Sequence, residues 1–302
     1  MSRVLVTGGA GFIGREVCRA LADDGHRVDV CDLVSGISRG FRQMDKRFNL
    51  IIPRGYQEIP VEALQHYDLI VHCAAICDTR HPYERELWEV NYENAAYFAS
   101  NVPEGCRFIF ISSAAVYGNL TCAEDTSEFD PQTTYAMTKL AAERALGQIF
   151  ESDPRRYLVL RPFNVYGHTE HTKKEETRSL VYRLADAKIG NRCFDVHSVD
   201  AVRDFVHVED VAESVRSLTK AWPEDRVLRI LNVGTGAAVR IGSLLKMIDH
   251  DRFSVKPNPH GDSYQSTSCA MFTDDTLDFL AEPHRALTRQ TVRDLIRRMK
   301  GE

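Results

Sequence analysis

Two residues in, the chain reads Arg3-Val4-Leu5-Val6-Thr7-Gly8-Gly9-Ala10-Gly11-Phe12-Ile13-Gly14. Its first part is short, apolar and β-branched, the composition of a buried strand. Glycines then interrupt it, and Glu16-Val17-Cys18-Arg19-Ala20-Leu21 continues with helical spacing. One glycine permits the tight turn, one lets backbone approach a diphosphate, and one lets the helix pack on the strand. The amide end of such a helix attracts negative charge. A second strand, Arg27-Val28-Asp29-Val30-Cys31, ends at Asp32, whose carboxylate suits the hydroxyls of a ribose. Strand, glycine turn, helix, strand and terminal acid together predict a bound dinucleotide, held by Gly8, Gly11, Phe12, Ile13, Gly14 and Asp32. NAD is the expected cofactor. Arg39, in Ser38-Arg39-Gly40, either reaches a ribose 2′-phosphate, which leaves NADP open, or is a solvated loop arginine.

Further strands and helices alternate from here. Leu69-Ile70-Val71-His72-Cys73 runs into Ala74-Ala75, small residues that let backbone come close to a ligand. A helix is expected over about 83–101, with Leu87, Val90, Ala95 and Phe98 inward. Arg107-Phe108-Ile109-Phe110-Ile111 ends in Ser112-Ser113. Ligands of such sheets sit beyond the carboxyl ends of strands, so both hydroxyls are candidates to hold a substrate oxygen, although one of them could instead cap a turn. The helix that follows, over about 134–152, carries Tyr135 and Lys139. Four residues apart they share a face, and an ammonium beside a phenol favours the phenolate, which would make Tyr135 a proton-transfer group. That spacing alone is common on surface helices; the serines and the glycine turn give it meaning.

Residues 33–60 read as irregular, and His168 to Glu176 as a polar surface loop. Strands alternating with helices predict an α/β fold: a doubly wound parallel sheet (Rossmann) with a smaller C-terminal substrate-binding lobe. The dinucleotide domain is expected over 1–166, with 203–234 returning to it, and the lobe over 167–202 and 235–302. A net charge of −5 with no basic run gives no case for nucleic acid. No apolar run is long enough to span a bilayer, and Met1 to Val6 is too short and too soon broken by glycine for a signal peptide. A cytoplasmic protein is expected. The eight cysteines include one close pair, Cys73 and Cys77, without a second pair at metal-site spacing, so no metal is expected.

The chain resembles an extended short-chain dehydrogenase/reductase of the NAD-dependent sugar-nucleotide epimerase/dehydratase family. The likeness rests on the glycine turn, Asp32, Ala74-Ala75, Ser112 to Gly118, Tyr135 with Lys139, Arg161 to Gly167, Arg203 to Val211 and Asn232 to Gly236, in the family's order. It implies that Ser113, Tyr135 and Lys139 are catalytic. The tyrosine would be the acid/base, the lysine would hold the nicotinamide ribose, and Ser113 would bind the reacting oxygen with Ser112 behind it. Ala74, Ala75 and Pro162 join the cofactor site. Asn164, Lys173, Arg203 and His260 join Ser112 and Ser113 toward a nucleotide-diphosphate sugar. A homodimer through the helices at 83–101 and 134–152 is implied as well.

Within that resemblance, dehydratases carry an Asp-Glu pair after the hydroxyl residue and decarboxylases a glutamate, where this chain has Ala114 and Ala115. Epimerisation of a hexose at C4 or a heptose at C6 is the expected activity, by transient hydride transfer and return to the opposite face. The segment from Glu170 to Lys173 and Tyr264-Gln265 resemble the heptose branch, in which a lysine is a second acid/base; the His-Lys-Gly core of that branch reads His171-Thr172-Lys173-Lys174 here. An NADPH-dependent ketosugar reductase, a dehydratase or decarboxylase, and a non-catalytic nucleotide sensor remain as alternatives.

Overall fold

The computed structural model describes residues 1–40, 47–78, 81–120, 122–123, 128–223, 229–256, 269–270 and 284–302, with the side chains of Arg39, Cys122 and Glu176 outside it. In chain order, β1 (Arg3–Thr7), α1 (Phe12–Asp23), β2 (Arg27–Asp32), α2 (Val34–Gly40), β3 (Leu50–Pro53), α3 (Val61–Leu64) and β4 (Leu69–His72) come first. Next are α4 (Glu84–Trp88), α5 (Asn94–Ser100), β5 (Arg107–Ile111), β6 (Cys122–Ala123), α6 (Thr134–Ile149), β7 (Tyr157–Pro162) and β8 (Asn164–Tyr166). The chain continues through α7 (Leu180–Ile189), β9 (Phe194–Val196), β10 (Val202–Arg203), β11 (Phe205–His207), α8 (Val208–Lys220), β12 (Ile230–Val233), β13 (Val239–Arg240) and α9 (Ile241–Ile248). A last helix spans Arg289–Lys300.

Seven strands make one parallel sheet in the order β12-β7-β5-β4-β1-β2-β3. From β1 the chain winds first toward β3 and then, beyond β4, toward β12. The crevice between the carboxyl ends of β1 and β4 is therefore the place where such a sheet admits a ligand. Val4, Leu5 and Val6 of β1 are fully buried because helices cover both faces, which is why the strands read as unbroken apolar runs. Val17 and Leu21 of α1 pack with Val211 and Val215 of α8 on one face. Phe98 of α5 and Ala142 and Leu146 of α6 pack against Leu5, Ile70 and Phe108 on the other. A separate core joins Leu184 of α7, Leu244 of α9 and Leu295 of the last helix to Tyr166 and Phe205.

Three expectations change. Among the described residues of 33–60 stand α2, β3 and a 3₁₀ turn, Tyr56–Glu58, rather than irregular chain. β3 is a half-exposed edge strand of four residues that ends at Pro53, too short for its alternation to show and at a sheet edge, where proline is tolerated. The helix over 83–101 is broken into α4 and α5 by a π-helical turn, Glu89–Glu93. The supposed surface loop consists of two 3₁₀ turns with Thr169 and Glu170 buried. Polar composition misleads there, because the carboxylate is satisfied inside the protein.

Candidate active site

A cavity of about 500 Å³ lies over the carboxyl ends of β1, β2, β4, β5 and β7. Gly8 adopts φ +65°, and a Cβ on it would come within 2.6 Å of the Ala74 amide nitrogen; a Cβ on Gly14 would overlap the Gly8 carbonyl oxygen. Both glycines are thus demanded by the approach of the turn to β4 and of α1 to the turn. Gly11 caps α1 with no side-chain acceptor, and no acid stands in the first turn. The positive end of the helix dipole is left to whatever enters the cavity. Asp32 is oriented by the backbone, its Oδ2 accepting from the Ala10 amide at 2.9 Å and its Oδ1 from Leu33 at 2.8 Å. An uncapped helix start, an oriented carboxylate and the small Ala74 and Ala75 beside it fit a dinucleotide. Gly8, Gly11, Phe12, Ile13, Gly14, Asp32, Ala74, Ala75 and Pro162 all line this space.

Ser113 follows β5 and caps the 3₁₀ turn Ala114–Tyr117, accepting from the Ala115 amide at 3.2 Å. Thr133 caps α6 in the same way through the Ala136 amide, and the helix so started turns Tyr135 and Lys139 toward the sheet. The Tyr135 phenol and Ser113 both line the cavity; burial pushes the phenol's pKa well up, Cys77 adds to that, and the neighbouring Ser113 opposes it. Lys139 is 2% exposed. Its ammonium donates to the Ile111 carbonyl at 2.7 Å and sits 4.3 Å from the centre of the Phe110 ring. Burial draws it down to about 8, against the pull of Cys77, Glu143 and Cys73. The expected depression of the phenol by the lysine is therefore corrected. The ammonium is engaged with a backbone carbonyl, and loss of solvent governs both groups.

Ser112 also borders the cavity, but its hydroxyl donates to the Glu143 carboxylate. Successive strand residues point to opposite sides, which separates the two serines. Ser113 meets Tyr135, and Ser112 belongs to a buried chain in which Glu143 pairs with Arg161, Arg161 donates to the Tyr117 oxygen, and Tyr117 donates to Asn232. Asn164 and Arg203 do not reach the cavity lining among the described residues. The Asn164 amide donates to the Asp204 carbonyl at 2.9 Å, and Arg203 donates to the Val202 carbonyl at 2.7 Å. Lys173 lines the cavity, as does Lys174. His260 and the Arg39 side chain lie outside the described residues.

Three participants escaped the sequence reading. Asn91, in the π turn and 1% exposed, accepts from the Ile76 amide at 2.8 Å and donates to the Ile76 carbonyl at 2.9 Å and to Thr138 Oγ1 at 3.3 Å. It ties the loop after β4 to α6. Its signal is a poor helix former in mid-helix. Glu143 lies one turn beyond Lys139 on the same face and could have been found by extending that spacing. Arg54 lines the cavity just after β3 and was hidden with that strand. Elsewhere, His168, His207 and Glu209 have ligand-type atoms within 4.8 Å of one another. The Glu209 carboxylate already takes Arg298 at 2.7 Å and Arg285 at 3.1 Å, so the cluster is an ion-pair knot under the last helix.

Residues 4–234 match the NAD dependent epimerase/dehydratase family. The chain belongs to that family. It is 30% identical over 267 residues to the ADP-L-glycero-D-manno-heptose-6-epimerase of Brachyspira hyodysenteriae, covering 81% of this chain and 80% of the relative. It is 26% identical over 351 residues to a UDP-glucose 4-epimerase of Neisseria meningitidis serogroup C, covering 99% and 96%. Among solved structures it is similar to MoeE5 in complex with UDP-glucose and NAD, with a TM-score of 0.83 at 23% identity over 99% of both chains. At that identity the likeness is one of fold. This member of the family has no helix, among its described residues, long and apolar enough to cross a membrane.

Proposed function

We propose that the protein is an NAD-dependent epimerase of a nucleoside-diphosphate sugar, inverting one sugar carbon without net oxidation. The observation that carries this reading is the placing of the Tyr135 phenol and Ser113 together in the lining of a cavity whose only carboxylate, among the described lining residues, is Asp32. Asp32 is fixed by the Ala10 and Leu33 amides at the end of β2. Elimination and decarboxylation both favour a carboxylate beside the hydroxyl pair, where this chain has Ala114 and Ala115. The relatives, enzymes of UDP-glucose and of an ADP-heptose, support the substrate class.

Gly11, Phe12 and Ile13 would hold the cofactor's diphosphate through the α1 amides, and Asp32 its adenosine ribose. When bound, oxidised NAD supplies a hydride acceptor and a positive charge beside the phenol. Burial raises the Tyr135 pKa; a positive charge near it would lower that pKa, so that the phenol gives its proton to water and the phenolate then takes the proton of a sugar hydroxyl. Ser113 holds the same sugar oxygen, and Lys139 stands beneath with its ammonium fixed on Ile111. Turning of the oxidised sugar within the cavity would offer its other face to the returning hydride that the reduced cofactor would supply, and Tyr135 would give the proton back to the sugar oxygen. As part of this reading we assign the protein to the cytoplasm, where thiols stay reduced; Cys18, Cys31 and Cys106 are buried thiols. A homodimer through α4, α5 and α6 would cover the exposed Tyr83, Tyr97 and Met137.

The test is incubation of the purified protein with UDP-glucose, UDP-N-acetylglucosamine and an ADP-heptose plus catalytic NAD, followed by NMR of the sugar. An epimer formed at constant 340 nm absorbance is expected. Stoichiometric consumption of NADPH, or a product lighter by one water, would overturn the reading in favour of a reductase or a dehydratase. Tyr135→Phe should bind NAD within threefold of wild type and lose at least 10³-fold in turnover, general acid–base groups being worth about that much.

A further inference from the structure

After β8 the chain does not leave for solvent. Gly167 to Ser179 closes on one carboxylate, that of Glu170, which is fully buried. It accepts from the Gly167 amide at 3.2 Å, the Ser179 amide at 2.5 Å and the Ser179 hydroxyl at 2.6 Å, and stands 3.4 Å from the Lys173 ammonium. Burial raises the Glu170 pKa, and Lys173 with these donors opposes the rise. The closed segment is a strap, and its ties run to α1. Arg15 donates to the Thr169 carbonyl at 3.3 Å, Thr169 donates to Glu16 at 3.4 Å, and the Lys173 ammonium lies 5.1 Å from the centre of the Phe12 ring. Phe12 is the first residue of α1. The strap therefore crosses the end of the helix whose amides lack a side-chain cap, and Lys173 borders the cavity there.

We infer that Lys173 is a cofactor-binding residue, a cation set by the strap against the diphosphate of NAD, and not a second acid/base for the sugar. The inference rests on the proposed NAD-dependent function. An acid/base must reach the proton it moves, and the proton-transfer pair belongs to β5 and α6, whereas the interactions of Lys173 are with the strap and with α1. A lysine beside helix amides meets a diphosphate as a point charge, adding to what the amides supply. Glu170 has the complementary task of fixing where that charge sits.

The experiment is calorimetric titration of the full-length protein, freed of co-purified nucleotide, with NAD, ADP-ribose and AMP, for wild type, Lys173→Met and Lys173→Arg. Lys173→Met should raise Kd about tenfold for NAD and for ADP-ribose and less than threefold for AMP, which lacks the diphosphate. Lys173→Arg should recover most of the loss, and the penalty should shrink as NaCl rises from 50 to 500 mM, as screening requires. Circular dichroism melting checks that each variant is folded. Unchanged Kd values for NAD and ADP-ribose would overturn the inference, and an accompanying hundredfold fall in turnover would make Lys173 an acid/base after all. A wild-type protein that binds no NAD would instead sink the underlying function.

Discussion

Lys139 and Arg161 are both buried in the layer beneath the cavity, and they are held in opposite ways. Arg161, fully buried, faces Glu143 through two bonds, at 3.1 and 2.6 Å, and donates to the Tyr117 oxygen at 2.7 Å. Burial works against its charge, but the bond and charge of Glu143 outweigh that and its pKa is raised. Lys139 has a carbonyl and a ring face, no carboxylate within ion-pair distance among the described residues, and a pKa lowered to about 8. A buried cation with a bidentate carboxylate is a fixture of the fold. A buried cation without one is held near its titration point at a cost to stability, as is common where chemistry is done.

Breaking the fixture should have the largest effect on stability. Arg161→Met leaves Glu143 buried without its cation and should destabilise the protein by about 3–5 kcal/mol, read from urea unfolding; a loss below about 1 kcal/mol would show that the pair is not structural. Lys139→Met should move the other way. Removing a cation that the fold disfavours should stabilise the protein by about 1–3 kcal/mol at pH 7 while turnover is lost. A destabilisation as large as that of Arg161→Met would erase the distinction between the two residues.

Alkali sharpens the same contrast. The folded pKa of Lys139 lies below the ordinary 10.5, so between about 8 and 10.5 the unfolded chain holds this proton more firmly than the folded one. Wild type then gains stability relative to Lys139→Met as pH rises through that window, and the gap between their melting temperatures should narrow from pH 7 to pH 10. A constant gap would mean that Lys139 does not titrate there. The smallest effect is expected at the surface. Arg85→Ala removes an exposed pair with Glu93, 2.9 Å apart, and should change stability by no more than about 0.5 kcal/mol.

Much of this could be read from the chain because the rules involved are local. Gly8 and Gly14 are fixed by the steric demands of one turn, and the Tyr135–Lys139 spacing by one helix. The fates of Ser112 and Ser113 were not local. They depend on which side of β5 meets α6, and on Glu143 waiting there. The direction of the Tyr135 shift was misread because spacing shows that a lysine is near but not that both groups have lost their water. Glu170 was misread because its main partner, Ser179, lies nine residues on, where polar composition suggests only a loop. Asn164 and Arg203 were drawn toward the site by resemblance, whereas their own hydrogen bonds hold them to the segment at 202–204.

The π turn at Glu89–Glu93 places a constraint on the gene rather than on any one side chain. Such a turn holds one residue more than an α-helix needs. Deleting a single codon between 89 and 93 would restore a regular helix and remove the wide turn on which Asn91 stands. Asn91 would then lose its bonds to Ile76 and Thr138. The exposed positions of this stretch should accept most substitutions and no change of length. For this helix, counting residues matters more than choosing them.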